Sequence, residues 1–174
     1  GAVSLNRRPT TAANTAATIA QKAGGQVILL PSPAILERLE TKQAIESDRT
    51  VAGVIELAAG ASAYLFSGGV ADGTSALVES GYLSGTDVTE LRRKGAIGDV
   101  VGRFIDANGN IVDPGLDERT MGLSLEQLRA AANAIFVVSG EAKHPVARAV
   151  VTSGLCTVIV TDEATALALL EENA

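Results

Sequence analysis

The sequence predicts an α/β fold: a three-layer sandwich with a mainly parallel, Rossmann-like sheet and one inserted β-hairpin. Three observations carry this expectation. Short apolar runs alternate along the chain with segments of helical period. The apolar residues are aliphatic, 47% of the chain being hydrophobic against 3% aromatic with no Trp, a composition suited to buried parallel strands under Ala-rich helices. Finally, Asn108-Gly109 stands between two apolar runs, and this dipeptide is favoured where a hairpin turn needs positive φ.

The elements follow in order. Residues 3–5 read as a strand stub and 6–9 as a loop. Residues 11–23 are Ala-rich, place Ala16 and Ile19 on one face and stop at Gly24-Gly25, which predicts a helix. Residues 26–30 form a short apolar strand closed by Pro31 and Pro33, and 35–39 form one or two helical turns. A helix opens at Ser47, with Ser47 or Asp48 as its N-cap. It carries Val51, Val54, Ile55 and Ala58 on its apolar face and ends at Gly60. Residues 63–66 are the next strand, running into Ser67-Gly68-Gly69. Short helices follow at 74–80 and 86–94, the latter capped by Thr86. Residues 100–106 and 111–112 then flank Asn108-Gly109 as the inserted hairpin. Ser124 caps a helix over 124–131, with Gln127 at the capping-box position. Residues 135–138 form a buried strand ending at Ser139-Gly140. A helix over 143–153, a strand over 157–161 and a closing helix over 162–172, capped by Asp162, complete the chain. The alternation implies right-handed crossovers between parallel strands.

At 174 residues the chain has the length of one domain with a substantial core. Its net charge of −6 opposes a direct grip on nucleic acid, which needs Lys and Arg on phosphates. The densest basic run, Arg92-Arg93-Lys94, falls at a helix end, where it complements the helix dipole. No apolar run approaches the roughly 18 residues of a membrane span, and the first residues lack the order of a signal peptide. The expected compartment is the cytoplasm. Cys156 is the single cysteine, which excludes an internal disulfide and a cysteine zinc site, and its apolar neighbours suggest a buried structural thiol. No cofactor is expected. His144, the single histidine, has no partners for a catalytic triad or a metal site.

Ligands in open parallel sheets bind beyond the carboxyl ends of the strands, which singles out three segments. The first is Ser67-Gly68-Gly69 with Asp72-Gly73-Thr74-Ser75. Gly68 and Gly69 allow close approach of backbone to a ligand, and Ser75 offers a hydroxyl at a helix start. Ordinary turns explain these residues equally well, and the segment is neither a P-loop nor a dinucleotide fingerprint. The second is Ser139 to Lys143. Lys143, just past a strand end, suits a phosphate or a carbonyl carbon, or is simply a solvated first-turn lysine. The third is GAIGDVVGRFID, residues 95–106. Here Asp99 could accept bonds from sugar hydroxyls and Arg103 could fork onto an anion, or the two could brace the hairpin as a pair.

Several segments together resemble one family. They are Gly81-Tyr82-Leu83, the 95–106 segment, Thr120-Met121-Gly122-Leu123-Ser124-Leu125, Val138-Ser139-Gly140-Glu141-Ala142-Lys143 and Val160-Thr161-Asp162-Glu163-Ala164-Thr165. The chain resembles the sugar-binding effector domain of SorC-type bacterial transcription regulators. That resemblance implies a fold similar to ribose-phosphate isomerases and glucosamine-phosphate deaminases, with the catalytic machinery turned to sensing. It implies that residues 1–174 form the effector domain without its first strand and phosphate loop. Contact with DNA would then run only through a helix-turn-helix domain that this chain does not contain. The implied partner is a phosphorylated sugar, and the implied role is a sensor without turnover; the alternative is an isomerase- or deaminase-like enzyme. Asp99 and Lys143 match family positions that contact the sugar phosphate, and Asn14 matches a polar position on a helix facing it. Sensors of this kind commonly act as symmetric oligomers, so a homo-dimer or tetramer is expected, with no membrane partner.

Overall fold

A computed structural model describes residues 11–171. The strand stub expected at 3–5 and the loop at 6–9 lie outside the described residues. Among the described residues, two three-stranded sheets organise the fold. In the first, β1 (Tyr64–Phe66), β5 (Ala134–Val137) and β6 (Val158–Val160) run parallel in the order β1-β5-β6. In the second, β2 (Gly68–Val70), β3 (Gly98–Val100) and β4 (Arg103–Ile105) run antiparallel in sequence order. The helices are α1 (Thr11–Ala23), α2 (Leu39–Ser47), α3 (Arg49–Ala59), α4 (Ala76–Glu79), α5 (Gly85–Arg93), α6 (Pro114–Glu118), α7 (Leu125–Ala130), α8 (His144–Thr152) and α9 (Glu163–Leu170).

Pleating assigns the two faces of the parallel sheet. Phe66, Phe136 and Ile159 stand in register on the inner face, where the two phenylalanine rings meet at 5.2 Å between centroids. Leu65, Val137, Val158 and Val160 stand on the other face and are exposed. The antiparallel sheet is buried on both sides. Val100 and Ile105 join Phe136, Leu128, Val150 and Leu155 in the main core, while Phe104 joins Val88, Leu91 and Leu116 in a second one. Helix α8 lies close across this sheet because the strand residues facing its Val146 are glycines. A Cβ at Gly98 would come within 2.8 Å of the Val146 side chain, and one at Gly68 within 3.2 Å.

Local chemistry explains where the elements begin. The Asp48 carboxylate accepts from Thr50 and Val51 N–H and starts α3, as expected, but Ser47 belongs to the end of α2. The Ser124–Gln127 box starts α7 and Asp162 caps α9, also as expected. Helix α5 starts earlier than its expected Thr86 cap. Ser84 accepts from Asp87 N–H while the Asp87 carboxylate reaches back to Ser84 N–H, and this reciprocal pair outcompetes a lone threonine.

Three expectations are corrected. Residues 26–30 have no regular secondary structure and join no sheet among the described residues, leaving Val27, Ile28 and Leu29 exposed; β propensity needs a neighbouring strand to be realised. The helical turn expected at 35–39 is displaced to α2, since Ile35 and Leu36 serve as buried core residues and Ile35 pairs with Thr120. The first hairpin turn is Val101-Gly102, with φ of +50° and +85°, and it closes β3 onto β4. Asn108-Gly109 makes a second return, in which Ile111 bridges Ile105 and Val112 N–H donates to Phe104 C=O at 3.1 Å. The insertion is therefore a meander of two successive returns.

Candidate functional site

Parallel strands present their carboxyl ends together, and each of the three here leads into a hydroxyl side chain. Ser67 follows β1, Ser139 lies two residues beyond β5, and Thr161 follows β6. With Val137, Val138, Val160 and Lys143 they line an open depression of about 380 Å3. Lys143 closes a 3₁₀ turn, Glu141–Lys143, ahead of α8, and its N–H donates to Gly140 C=O at 2.9 Å. Its ammonium makes no ion pair or hydrogen bond among the described residues, although the side chain is half-buried.

The platform beneath Lys143 is braced from β6. The Asp162 carboxylate accepts from Thr165 N–H at 2.8 Å, from the Thr165 hydroxyl at 2.8 Å and from Gly140 N–H at 3.0 Å. These donors hold its pKa down at about 2, the Thr165 N–H being the largest cause. The Thr165 hydroxyl also lies 3.2 Å from His144 Nε2. One carboxylate thus fixes the exit loop of β5, the start of α9 and, through Thr165, the first residue of α8. His144 serves this brace.

Asp99 sits on β3 opposite Gly69 of β2. A Cβ at Gly69 would overlap Asp99 Oδ1, so the Asp99 carboxylate keeps this position only over a glycine. Gly102 N–H donates to Asp99 Oδ2 at 3.1 Å. Burial raises the carboxyl pKa to about 6, against the opposing pull of the Gly102 N–H and the positive charge of Lys143. Asp99 and Lys143, 44 residues apart in sequence, are thus electrostatic neighbours.

The other expected site residues are placed elsewhere. Arg103 is 5% exposed and fully engaged. It donates to the carbonyls of Leu123 at 2.7 Å, Asp117 at 3.1 Å, and Thr120 and Gly122 at 3.4 Å each, and pairs with the Asp117 carboxylate. It braces the segment after α6 and does not pair with Asp99. Ser75 is buried and caps α4 by accepting from Val78 N–H, while Asp72 accepts from the N–H and hydroxyl of Thr74. Gly68 packs against Val146 and Phe136. Asn14 lines a separate depression with Thr15, Thr18 and Ile19 on α1. Neither Ser75, Asn14 nor Arg103 reaches the depression around Lys143. Ser67 and Ser139 fall in segments that the sequence singled out, with no role of their own assigned, and Thr161 was not singled out as a site residue. The available signal was their position, the first polar residue after each apolar strand.

The described residues contain no cluster of His, Cys, Asp or Glu able to hold a metal ion, and no helix among them is long and apolar enough to cross a membrane. A parallel sheet with hydroxyls and an unpaired lysine at its carboxyl ends, near a partly buried carboxylate, has the donors and acceptors that a small polar molecule requires. The comparisons with known proteins make the class specific: the model of the sugar-binding domain family (Sugar-bind) matches residues 1–171, and the chain belongs to that family. It is 30% identical over 172 residues to the deoxyribonucleoside regulator of Bacillus subtilis, covering 99% of this chain and 55% of that protein. Among solved structures, a domain of a possible sugar-binding transcriptional regulator from Arthrobacter aurescens superposes with a TM-score of 0.87 at 32% identity, over 98% of this chain and 66% of that one. The full-length sorbitol operon regulator SorC of Klebsiella pneumoniae shares the fold, with a TM-score of 0.68 at 23% identity over 79% of this chain and 44% of that one. The chain spans about half the length of the curated relatives it matches.

Proposed function

We propose that this domain senses a phosphorylated sugar at the carboxyl ends of β1, β5 and β6, without turnover. In the whole protein, binding would change the DNA affinity of a separate helix-turn-helix domain within a homo-dimer or tetramer. The carrying observation is the unpaired Lys143 ammonium in a hydroxyl-lined depression, with Asp99 near enough to feel its charge. In this reading Lys143 holds the phosphate by charge-assisted hydrogen bonds, and Asp99 accepts from sugar hydroxyls. The regulatory role is supported by the relatives, which are named as regulators, transcriptional ones among them.

Thermal unfolding of the intact protein with pentose, hexose and triose phosphates tests the reading, because a ligand that binds only the native state raises Tm. At least one of them is expected to do so. Replacing Lys143 with Ala should weaken its binding by about 1.5–3 kcal/mol, the worth of a hydrogen bond to a charged group. A panel that shifts nothing defeats the sensor reading, and product formation from any member replaces it with an enzyme.

A further inference from the structure

Among the described residues one buried side-chain polar atom has no hydrogen-bond partner, the Oγ1 of Thr161. Its neighbours in the fold show how unusual that is. The Thr157 hydroxyl, at the opposite end of β6, accepts from Ala134 N–H at 2.9 Å, and that of Thr165 donates to Asp162. Valine would fill the same volume at position 161 without a buried polar atom, and it would continue the Val-Ile-Val run of the strand. The hydroxyl therefore opposes stability where it stands.

Position supplies its use. Thr161 lines the depression that holds Lys143, Ser67 and Ser139. A 120° rotation about χ1 carries the threonine Oγ1 into the place of Cγ2 or of Hβ, so a staggered rotamer exists in which the hydroxyl leaves its buried position. We propose that Thr161 is a ligand-positioning residue: its hydroxyl rotates to hydrogen-bond a hydroxyl of a polyhydroxylated anion whose anionic group rests on Lys143. This rests on the sugar-phosphate reading and narrows it to ligands that carry hydroxyls at the β6 end of the depression.

The test compares wild type, Thr161→Val and Thr161→Ser in the intact protein. Ribose 5-phosphate, glucose 6-phosphate, glyceraldehyde 3-phosphate and inorganic phosphate are titrated by calorimetry. For the sugar phosphate that wild type binds best, Val should weaken affinity about tenfold, the loss of one ordinary hydrogen bond, while Ser restores it. Inorganic phosphate, which needs only Lys143, should bind both variants as it binds wild type. Without ligand, Thr161→Val should melt at a higher temperature than wild type; Thr161→Ala gives the same affinity comparison if the Val chain does not fold. Unchanged sugar-phosphate affinity in the Val variant overturns the role of Thr161 and leaves the site standing. Equal losses for sugar phosphate and inorganic phosphate also overturn it, since they mean displaced structure around Lys143. If wild type binds none of the sugar phosphates, the sugar-phosphate reading and this proposal fall together.

Discussion

Replacing Asp99 with Asn removes one titration while keeping the shape of the side chain and an oxygen to accept from Gly102 N–H. In the native protein the Asp99 carboxyl has a pKa of about 6 against an ordinary 3.8, because burial penalises the ionised form. A raised acid pKa means that the native state holds a proton the unfolded chain has already released. Stability from this group is therefore full below the ordinary value, falls as pH rises toward 6 and stays low above it. At about 1.4 kcal/mol per pH unit across that window, ionised Asp99 costs the unliganded protein on the order of 3 kcal/mol at neutral pH. Urea unfolding of wild type and Asp99→Asn between about pH 4 and pH 7 isolates the effect. The carboxylates with depressed pKa, such as Asp162 and Asp113, titrate in both proteins and cancel in the difference. The stability of the variant relative to wild type should rise by roughly 2–2.5 kcal/mol from the acid to the neutral end. Parallel pH profiles would show that Asp99 is not held in a desolvated site, and the electrostatic account of the depression would fail with it.

Two further substitutions test the scaffold. Gly69→Ala places a methyl group on Asp99 Oδ1 and should destabilise by about 1–3 kcal/mol, the usual cost of overpacking; in an Asp99→Ala background the cost should largely vanish, and additive losses in urea melts would refute direct contact. Arg103→Met strands the Asp117 carboxylate and the carbonyls of Leu123, Thr120 and Gly122, and should cost about 3 kcal/mol, the low end for breaking a buried pair because Asp117 is partly exposed. A Tm within experimental error of wild type would contradict the bracing role.

The legible parts of this fold are those in which one short segment decides its own structure. Helix α1, the Ser124–Gln127 box, the Asp162 cap and the three apolar strand runs of the parallel sheet are local statements, and local rules found them. What was missed depends on distant partners. Asn108-Gly109 is the better local turn signal, yet the first hairpin closes at Val101-Gly102. Valine at φ +50° is a costly choice. It is held there because its side chain packs on the main core and because the turn delivers Gly102 N–H to Asp99. Arg103 was ambiguous for the same reason: its partners lie 14 to 20 residues downstream. Asp99 and Lys143 became visible as a pair only through family resemblance, since no spacing rule connects β3 to the turn after β5.

How fully each polar group is satisfied within the chain separates the braces of this molecule from the residues of its proposed site. Arg103 and Asp162 are surrounded by partners, and both act as braces. Lys143 has no partner among the described residues, Thr161 has none for its hydroxyl, and Asp99 has one N–H for a carboxylate in a desolvated place. Strain at Val101 falls on the same hairpin as Asp99. Unmet groups of this kind cost free energy in the unliganded state and persist where something outside the chain completes them. A ligand that offers an anion to Lys143 and hydroxyls to Asp99 and Thr161 would remove all three deficits at once. Its affinity would then come largely from relieving costs already present in the protein, so the substitutions that stabilise the unliganded domain, Asp99→Asn and Thr161→Val, should be the ones that bind sugar phosphate less well.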